Sequence, residues 1–496
     1  MKFLNKQLLD LLRDLNNTFE EVYVVGGIIR DRIIKRQMDN GLDVDIIIKN
    51  LSVKELKSLL KKHSLPFVVL DKINRIYRTV LTFNDGFIIT LDISSYKDLK
   101  QDIFRRDFTI NTLCLKMADF IRYITTGNEK FMLKRLIDLT SSGLKDIKNN
   151  VLKETRENSV IDDPIRILRV ARFMCYGFKP EEELVKTCVR NKHLLNYVAK
   201  ERINEELKKI FNFSYSYKIL EWLDTTGILE TVIPEIEIIK KKGKNTQFRK
   251  FYYHKEGLWQ HTKLTYKSVE DVVNKLKKFF PQYYSEINPK LQNKQYVLKY
   301  IALLHDIGKP FVVKKEKGRI RFFRHEMISA EIAEKVLKEL RLSNDEIRSI
   351  VLVIKNHMRL GSLYNSRNTL TERAYLRLFN ELQTDLFSLL IFSIADRLSY
   401  ESIPFSIRKS YLSNYGSINK FVKFENKILE KYFEYLKKSS LPRLITGYDV
   451  MNTFGIPEGP LVGKILNFIR EAQILGKISN REEALKLANK YVKLLQ

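Results

Sequence analysis

The run Val24-Val25-Gly26-Gly27-Ile28-Ile29-Arg30-Asp31, followed by Asp43-Val44-Asp45 and the apolar stretch Ile46-Ile47-Ile48, constrains this chain more than any other feature. Side chains alternate across a strand with period two, so Asp43 and Asp45 point to one face and can share a pair of divalent metals. Such a pair activates an attacking hydroxyl and stabilises a leaving pyrophosphate, which makes the pattern suited to nucleotidyl transfer. The glycines allow close approach of backbone to a triphosphate, and a helix starting near Ile28 turns its N–H groups toward the anion. Taken singly, either motif also fits a plain strand-turn-helix joint beside a solvated acidic loop.

Residues 79–92 read as two β-rich runs around the hairpin signal Asn84-Asp85-Gly86, which delivers Asp92 as a third carboxylate at a strand end. Next comes Asp102-Ile103-Phe104-Arg105-Arg106-Asp107-Phe108-Thr109-Ile110-Asn111, then Asp162-Asp163-Pro164-Ile165-Arg166-Ile167-Leu168-Arg169 with Ala171-Arg172-Phe173 behind it. In this order the four motifs resemble the class II tRNA nucleotidyltransferase and bacterial poly(A) polymerase family. The resemblance implies an α+β chain with a polymerase-β-like head and an all-α neck and body. It implies two Mg²⁺ ions on Asp43 and Asp45, aided by Asp92, with tRNA as partner and CTP and ATP as substrates. Gly26, Gly27 and Arg30 would hold the triphosphate, Arg106, Asp107 and Asn111 the sugar and phosphates, and Asp163 with Arg166 the base. Poly(A) polymerase shares almost every motif and stays open as an alternative.

Asp163 and Arg166 also carry a physical reading. Three apart on a helix they would share a face, and a carboxylate beside a guanidinium presents one polar edge. That edge matches the donors and acceptors of cytosine and of adenine, whereas the uracil O4 would meet the carboxylate and leave polar groups unpaired. The ordinary alternative is an intrahelical salt bridge worth about 0.3–0.5 kcal/mol.

Lys plus Arg total 88 against 59 Asp plus Glu, a formal net charge of +29 and a pI near 9.7. Such an excess attracts a polyanion over long range and makes binding salt-dependent, although Lys-rich solvated faces give the same composition. With 496 residues, 44% of them hydrophobic, the chain has material for several cores. Cys114, Cys175 and Cys188 lack metal spacing, which fits a reduced, cytoplasmic setting. The N-terminus is an amphipathic pattern broken by charges, and no uninterrupted apolar stretch of membrane length is evident, so no membrane partner is expected.

A second constellation runs His261, His305-Asp306, His325, His357 and Asp396, taking four of the seven histidines. Adjacent imidazole and carboxylate in Leu303-Leu304-His305-Asp306-Ile307-Gly308-Lys309 suit a divalent metal, while a lone histidine is usually a polar tip in a satisfied core. The order resembles the HD superfamily of metal-dependent phosphohydrolases. That resemblance places a first metal, of unspecified identity, on His261, His305, Asp306 and Asp396, and leaves His325 and His357 to a second metal or to phosphate. An HD phosphohydrolase acting on nucleotides or RNA ends is thus a reading from another class; a non-enzymatic RNA-binding scaffold is weaker.

The expected layout is a catalytic head over 1–145, a helical neck over 146–235, an HD domain over 236–400 and a helical, tRNA-binding tail over 401–496. Asp138–Asp146 is read as the loop leaving the head, and Glu201-Arg202-Ile203-Asn204-Glu205 as a structural brace. Lys240–Asn245 and Asn274–Gln295 are read as loops or insertions. Thr446–Met451 and Gly455–Lys464 resemble the family's tail, either as an RNA-phosphate contact or as a helix-turn-helix joint. One departure matters. Only Ile93–Gln101 separates Asp92 from Asp102, where CCA-completing relatives carry a longer flexible segment that switches the pocket from CTP to ATP and CC-restricted relatives lack it. The resemblance therefore implies addition of C and, where the pocket can still switch, of A (CCA or CC), and the short connector leads to the expectation of CC addition followed by a stall.

Overall fold

The computed structural model describes residues 6–36, 41–83, 86–243, 257–316, 319–400 and 417–494. They form two compact units: residues 1–206 with 219–232, and residues 207–218 with 233–496. The mixed α+β head and helical remainder agree with the expected class.

In the first unit, α1 (Lys6–Thr18) buries Leu8, Leu11, Leu12 and Leu15, an i, i+3, i+4, i+7 stripe. Then follow β1 (Val22–Val25), α2 (Gly27–Ile33), β2 (Gly41–Lys49), α3 (Val53–Lys62), β3 (Val68–Asp71), β4 (Ile76–Thr82), β5 (Ile88–Tyr96), α4 (Leu99–Phe104) and β6 (Cys114–Lys116). The strands make one sheet in the order β3-β4-β5-β2-β1-β6. Only β2 and β5 are parallel, and their register sets Asp45 beside Asp92. Ile47 continues the Asp43–Asp45 face into a core of Tyr23, Val25, Tyr96, Ile103 and Cys114.

The connectors of this sheet are short. Asp71 accepts from the N–H groups of Ile73 (2.8 Å) and Asn74 (2.9 Å), closing the β3–β4 turn with its own side chain. Asn84 and Asp85 lie outside the described residues, but β4 and β5 pair antiparallel down to Thr82 and Ile88, as a hairpin requires. Asp92 sits mid-strand in β5 rather than at a strand end, because the ladder to β2 continues to Lys49 and Tyr96. Asp98 then caps α4, accepting from Gln101 N at 2.8 Å. The stretch read as a loop at Asp138–Asp146 already turns helical at Gly143, since Asp138 accepts from Leu144 N at 3.0 Å.

In the second unit, the helix Leu258–Asn274 packs against Leu386–Ser399 and Gln295–Leu304 around a core that includes Tyr266, Tyr300 and Phe392. Fully buried Lys299 pairs with Glu270 at 2.9 Å and donates to Ser216 at 2.8 Å. The insertion expected over Asn274–Gln295 is instead two short helices, Leu276–Phe279 and Tyr284–Leu291, whose Leu276, Ile287 and Leu291 are buried. The Lys240–Lys242 run ends the helix Ile236–Gly243, and Lys244 and Asn245 lie outside the described residues. Glu372–Ser399 is long and apolar enough by length and composition to cross a membrane, although charges such as Glu381 and Asp385 interrupt it. Its two helices meet at Gln383 (φ 46°), and 67% of its apolar window is buried in the core. Near the C-terminus, Thr446 and Asp449 form a capping box on Gly447–Phe454, and a turn leads into Pro460–Ile474, a helix-turn-helix joint over its own small core.

Candidate active site and metal centre

Gly26 forms the floor of the first site. It has φ 76° and ψ −133° and caps α2, a conformation open in practice to glycine. A Cβ there would lie 3.0 Å from Asp45 Oδ2 and 3.1 Å from Arg106 Nη1. Gly27 is less constrained, its Cβ position lying 3.4 Å from Arg30 Nη2 with no left-handed backbone. Asp43 is exposed and Asp45 half-buried on the same face of β2. Burial pushes the Asp45 carboxyl up, Arg106 opposes this, and the nearby charges of Asp92, Asp43 and Asp107 add to the rise. Carboxylates crowded in this way fit a divalent cation, which would relieve their repulsion.

Asp92 is held differently from expectation. Arg78, opposite it on β4, grips it as a fork, Nε to Oδ1 at 2.7 Å and Nη2 to Oδ2 at 2.8 Å. Among the described residues, three ligating atoms gather within 4.8 Å only in two groups, both in the second unit, so Asp43, Asp45 and Asp92 do not form a third.

The Arg105–Asn111 stretch packs a polar chain beneath this face. Asp107 accepts from Phe108 N (2.9 Å), Asn111 Nδ2 (2.8 Å) and Arg169 Nη1 (3.2 Å). Burial would raise its carboxyl, but Arg169, Asn111 and the Phe108 amide hold it below the usual range. Arg30 donates to Asn111 Oδ1 and, at 2.7 Å, to Asp31 Oδ1, with its guanidinium 4.8 Å from the centre of the Phe173 ring. Only 5% exposed, Arg30 is packed inside the site by these contacts. Arg106 stays beside Asp45 and Gly26, with Asp102 at 3.4 Å.

Asp163 and Arg166 do not share a helix face. Proline disfavours helical backbone in the residue before it, and Asp163, ahead of Pro164, is extended (φ −144°, ψ 92°); the helix begins at Arg166. Asp163 pairs with Arg202 Nη2 at 2.8 Å. Arg166 donates to the carbonyls of Ser159 (3.1 Å) and Arg105 (2.8 Å). The brace expected at Glu201–Glu205 is carried by Arg202 and by Glu206, which accepts from Arg172 Nη1 at 3.1 Å and lies 3.7 Å from Arg169 Nε. Arg78, Arg202 and Glu206 were not legible as site residues. The Asp162-Asp163-Pro164 signal could have revealed the helix break.

The second unit gathers all six HD residues into two adjoining triads, His261–His305–Asp396 and Asp306–His325–His357. Asp306 links them: Oδ2 lies 3.4 Å from His261 Nε2 and 3.3 Å from His305 Nε2, and Oδ1 lies 3.3 Å from His325 Nε2 and 3.8 Å from His357 Nε2. Each Nδ1 meets an oxygen: Ala302 O for His305 (3.0 Å), Phe322 O for His325 (2.8 Å), Ile354 O for His357 (2.7 Å) and Ser399 Oγ for His261 (3.1 Å). A carbonyl can only accept, so the proton of His305, His325 and His357 sits on Nδ1 and leaves Nε2 a bare lone pair. The Nε2 atoms face one another at 3.3 Å (His261–His305) and 3.2 Å (His325–His357), and Asp306 Oδ1 and Asp396 Oδ1 are buried with no hydrogen-bond donor. Burial and the neighbouring His325 and His305 push His357 down to about 3, toward the neutral ligand form. The donor set fits two divalent cations sharing Asp306.

Four family models match. They are described as the poly A polymerase head domain (residues 22–153), a probable RNA and SrmB-binding site of polymerase A (177–239), the HD domain (258–401) and a putative tRNA nucleotidyltransferase domain 2 (416–488). The CC-adding tRNA nucleotidyltransferase of Thermus thermophilus is 27% identical over 94% of this chain and 93% of its own length. The A-adding tRNA nucleotidyltransferase of Deinococcus radiodurans is 25% identical over 78% of each chain. A CCA-adding enzyme solved with ATP shares the fold with a TM-score of 0.55 at 19% identity, over 99% of this chain and 96% of that one. With the head, the HD domain and the second nucleotidyltransferase domain matched in order, the chain belongs to the tRNA nucleotidyltransferase and poly(A) polymerase family, in its HD-bearing form.

Proposed function

We propose that the chain adds cytidylates from CTP to the 3′ end of tRNA, releasing pyrophosphate, and stops before the terminal adenylate. The observation that carries the nucleotidyl-transfer assignment is the Gly26 turn, closed to within 3.0 Å of Asp45 on a face shared with Asp43. Asp43 and Asp45 would hold two Mg²⁺ ions, which when bound lower the pKa of the tRNA 3′-hydroxyl and neutralise the leaving pyrophosphate. The Gly26 and Gly27 backbone lines the triphosphate. Arg106 sets positive charge beside Asp45, and Arg30, Asp107 and Asn111 fix the floor on which these groups stand. Asp163 and Arg166 present donors and acceptors to the base, each positioned by its own partner. The reaction belongs in the cytoplasm, with its tRNA. CC addition is favoured by the connectors between β2 and Arg105, none of which exceeds five residues. The test is extension of tRNA transcripts ending before CCA, after C and after CC, with CTP, ATP or both, resolved to one nucleotide. Addition of CC and then a stall is expected. Efficient conversion of the CC-ending tRNA with ATP refutes the CC reading, and long A tails on generic RNA move the chain to poly(A) polymerase.

The converging imidazoles favour a second activity, metal-dependent phosphoester hydrolysis at the HD centre on nucleotides or RNA ends. Asp306→Asn and His305→Ala should abolish it across Mg²⁺, Mn²⁺, Ni²⁺ and Co²⁺ while sparing nucleotide addition, because the two sites share no ligands. Absence of hydrolysis in the metallated wild type would leave the HD residues a structural role.

A further inference from the structure

The end of the helix Leu386–Ser399 brings more than Asp396 to the HD centre. Asp396, Ser399 and Tyr400 stand at i, i+3 and i+4, the spacing that puts side chains on one helix face, and Tyr400 keeps helical backbone as the C-cap. All three reach His261. Asp396 Oδ1 lies 3.2 Å from its Nε2, Ser399 Oγ 3.1 Å from its Nδ1, and the Tyr400 hydroxyl 3.5 Å from Nε2. The half-buried Tyr400 ring stacks on the imidazole, with centres 4.7 Å apart and planes 29° from parallel. The stack holds the phenol hydroxyl at the edge of His261 that faces the other ligands.

Ser399 decides what that edge carries. Its hydroxyl lies 2.6 Å from the Asp396 carbonyl, which can only accept, so the O–H points there and an oxygen lone pair is left for His261. In the neutral ring Nδ1 therefore holds the proton and Nε2 the lone pair. Around this Nε2 stand Asp306 Oδ2 at 3.4 Å, Asp396 Oδ1 at 3.2 Å and His305 Nε2 at 3.3 Å, all acceptors in their ligand forms. Tyr400 brings an O–H donor to this gathering of lone pairs. A lone pair given to a cation cannot also accept from a phenol, so in the loaded centre the O–H turns to another acceptor, and an anionic oxygen drawn to the same ion is at hand. Imidazole binds a cation in its ring plane, whereas the stacked phenol lies over the ring face, which favours a hydroxyl beside the ion over one bound to it.

We infer that Tyr400 is a phosphate-contacting residue of the HD centre, its hydroxyl donating a hydrogen bond to a phosphate oxygen held at the His261–His305–Asp396 triad. Ser399 is the positioning residue that keeps His261 Nε2 available to the ion. The inference rests on the phosphohydrolase reading above and adds to it a hydrogen-bond donor for the phosphate, where the metal-site side chains offer the ion acceptors.

The experiment uses the full chain, Co²⁺ as the metal and inorganic phosphate as the probe. The visible absorption of the ion reports first its own binding and then that of phosphate, and the part of the signal that His261→Ala removes belongs to the HD centre. Tyr400→Phe keeps the ring on His261 and deletes only the hydroxyl. It should keep its melting temperature and bind Co²⁺ within about twofold of wild type, yet bind phosphate about tenfold more weakly, the scale of one hydrogen bond to a charged group. Ser399→Ala should instead weaken Co²⁺ about tenfold, as loss of a ligand's outer hydrogen bond does; unchanged Co²⁺ affinity removes Ser399 from the assignment. If wild type binds Co²⁺ and phosphate and Tyr400→Phe matches it in both, the tyrosine role falls and the phosphohydrolase reading stands. A Co²⁺ affinity that drops with the hydroxyl overturns the role too, by making Tyr400 a ligand. If wild type gives no Co²⁺ signal that His261→Ala removes, the metal reading falls and takes the tyrosine role with it.

Discussion

Gly26→Ala should damage the head in a way that Gly27→Ala does not. At φ 76° and ψ −133° an alanine is strained by about 1–3 kcal/mol. For a unit of this size that lowers the melting temperature by about 2–12 °C. The larger effect is chemical. The added methyl would stand 3.0 Å from Asp45 Oδ2 and 3.1 Å from Arg106 Nη1, so the carboxylate and the guanidinium must both retreat by a few tenths of an ångström. Displacements of about 1 Å at a reacting centre cost about a hundredfold, so a tenfold to hundredfold loss of kcat is expected. Gly27 has an ordinary backbone and its nearest neighbour is the end of Arg30 at 3.4 Å, so Gly27→Ala should keep its melting temperature. The assay is single-turnover incorporation of labelled CMP into tRNA lacking CCA, beside thermal unfolding of both variants. A Gly26→Ala protein with wild-type rate and stability would refute the assignment of Asp45 to the reacting face.

If Asp92 aids the proposed metal pair, its fork from Arg78 competes with the ion, and Arg78→Met should lower the Mg²⁺ concentration for half-maximal rate about two- to fivefold, the worth of a part-exposed ion pair; an unchanged Mg²⁺ dependence with reduced thermal stability would make Asp92 a structural partner of β4. Asp163→Ala and Arg166→Ala should each relax selection against UTP at least about tenfold, because an edge that lost one partner no longer leaves uracil unpaired. Equal loss of rate for all four nucleotides, measured by single-nucleotide incorporation, would assign them to positioning instead. In the second unit, Lys208, Tyr296 and the Ser343 cap draw the partly buried Glu346 carboxyl from 4.5 to about 2 despite the desolvation that opposes them. A folded pKa below the unfolded one stabilises at pH above the unfolded value and is lost as pH falls through the folded one. Glu346→Gln should therefore cost about 1–3 kcal/mol at pH 7 and little near pH 2, read from denaturant unfolding at both.

How far the sequence revealed these sites depended on how local each signal was. Period two along β2 put Asp43 and Asp45 on one face, and β2 and β5 then aligned Asp45 with Asp92. The fork from Arg78 could not be read, because it depends on the β4–β5 register, a tertiary fact. Arg30 reads as a phosphate ligand by its place after the glycines, and its contacts with Asn111 and Phe173, residues distant in sequence, could not be read with it. The Asp163–Arg166 helix face failed for a local reason that the sequence carries, Pro164. The HD residues were legible as a set through their order. Their division into two triads around Asp306, and the carbonyls that fix their tautomers, required the packed helices.

The same contacts bear on why the edge proposed at Asp163 and Arg166 should stay set for cytosine. Adenine presents its amino donor and ring acceptor at shifted positions, so accepting it after two cytidylates requires Arg166 or Asp163 to move. Arg166 is tied to the carbonyl of Arg105, the residue that ends α4, and to that of Ser159. α4 is in turn capped by Asp98, two residues beyond the end of β5, and β5 is laddered on both sides by β2 and β4. A displacement of Arg166 must therefore drag the α4 terminus or break its bond to Arg105, and no long connector between Asp92 and Arg105 absorbs the strain. Asp163 is freer, held by one part-exposed pair to Arg202. If adenylate were added after all, the physical route would be rotation of Asp163 away from Arg202, and Arg202→Ala, which releases that carboxylate, is the variant in which ATP use should first appear.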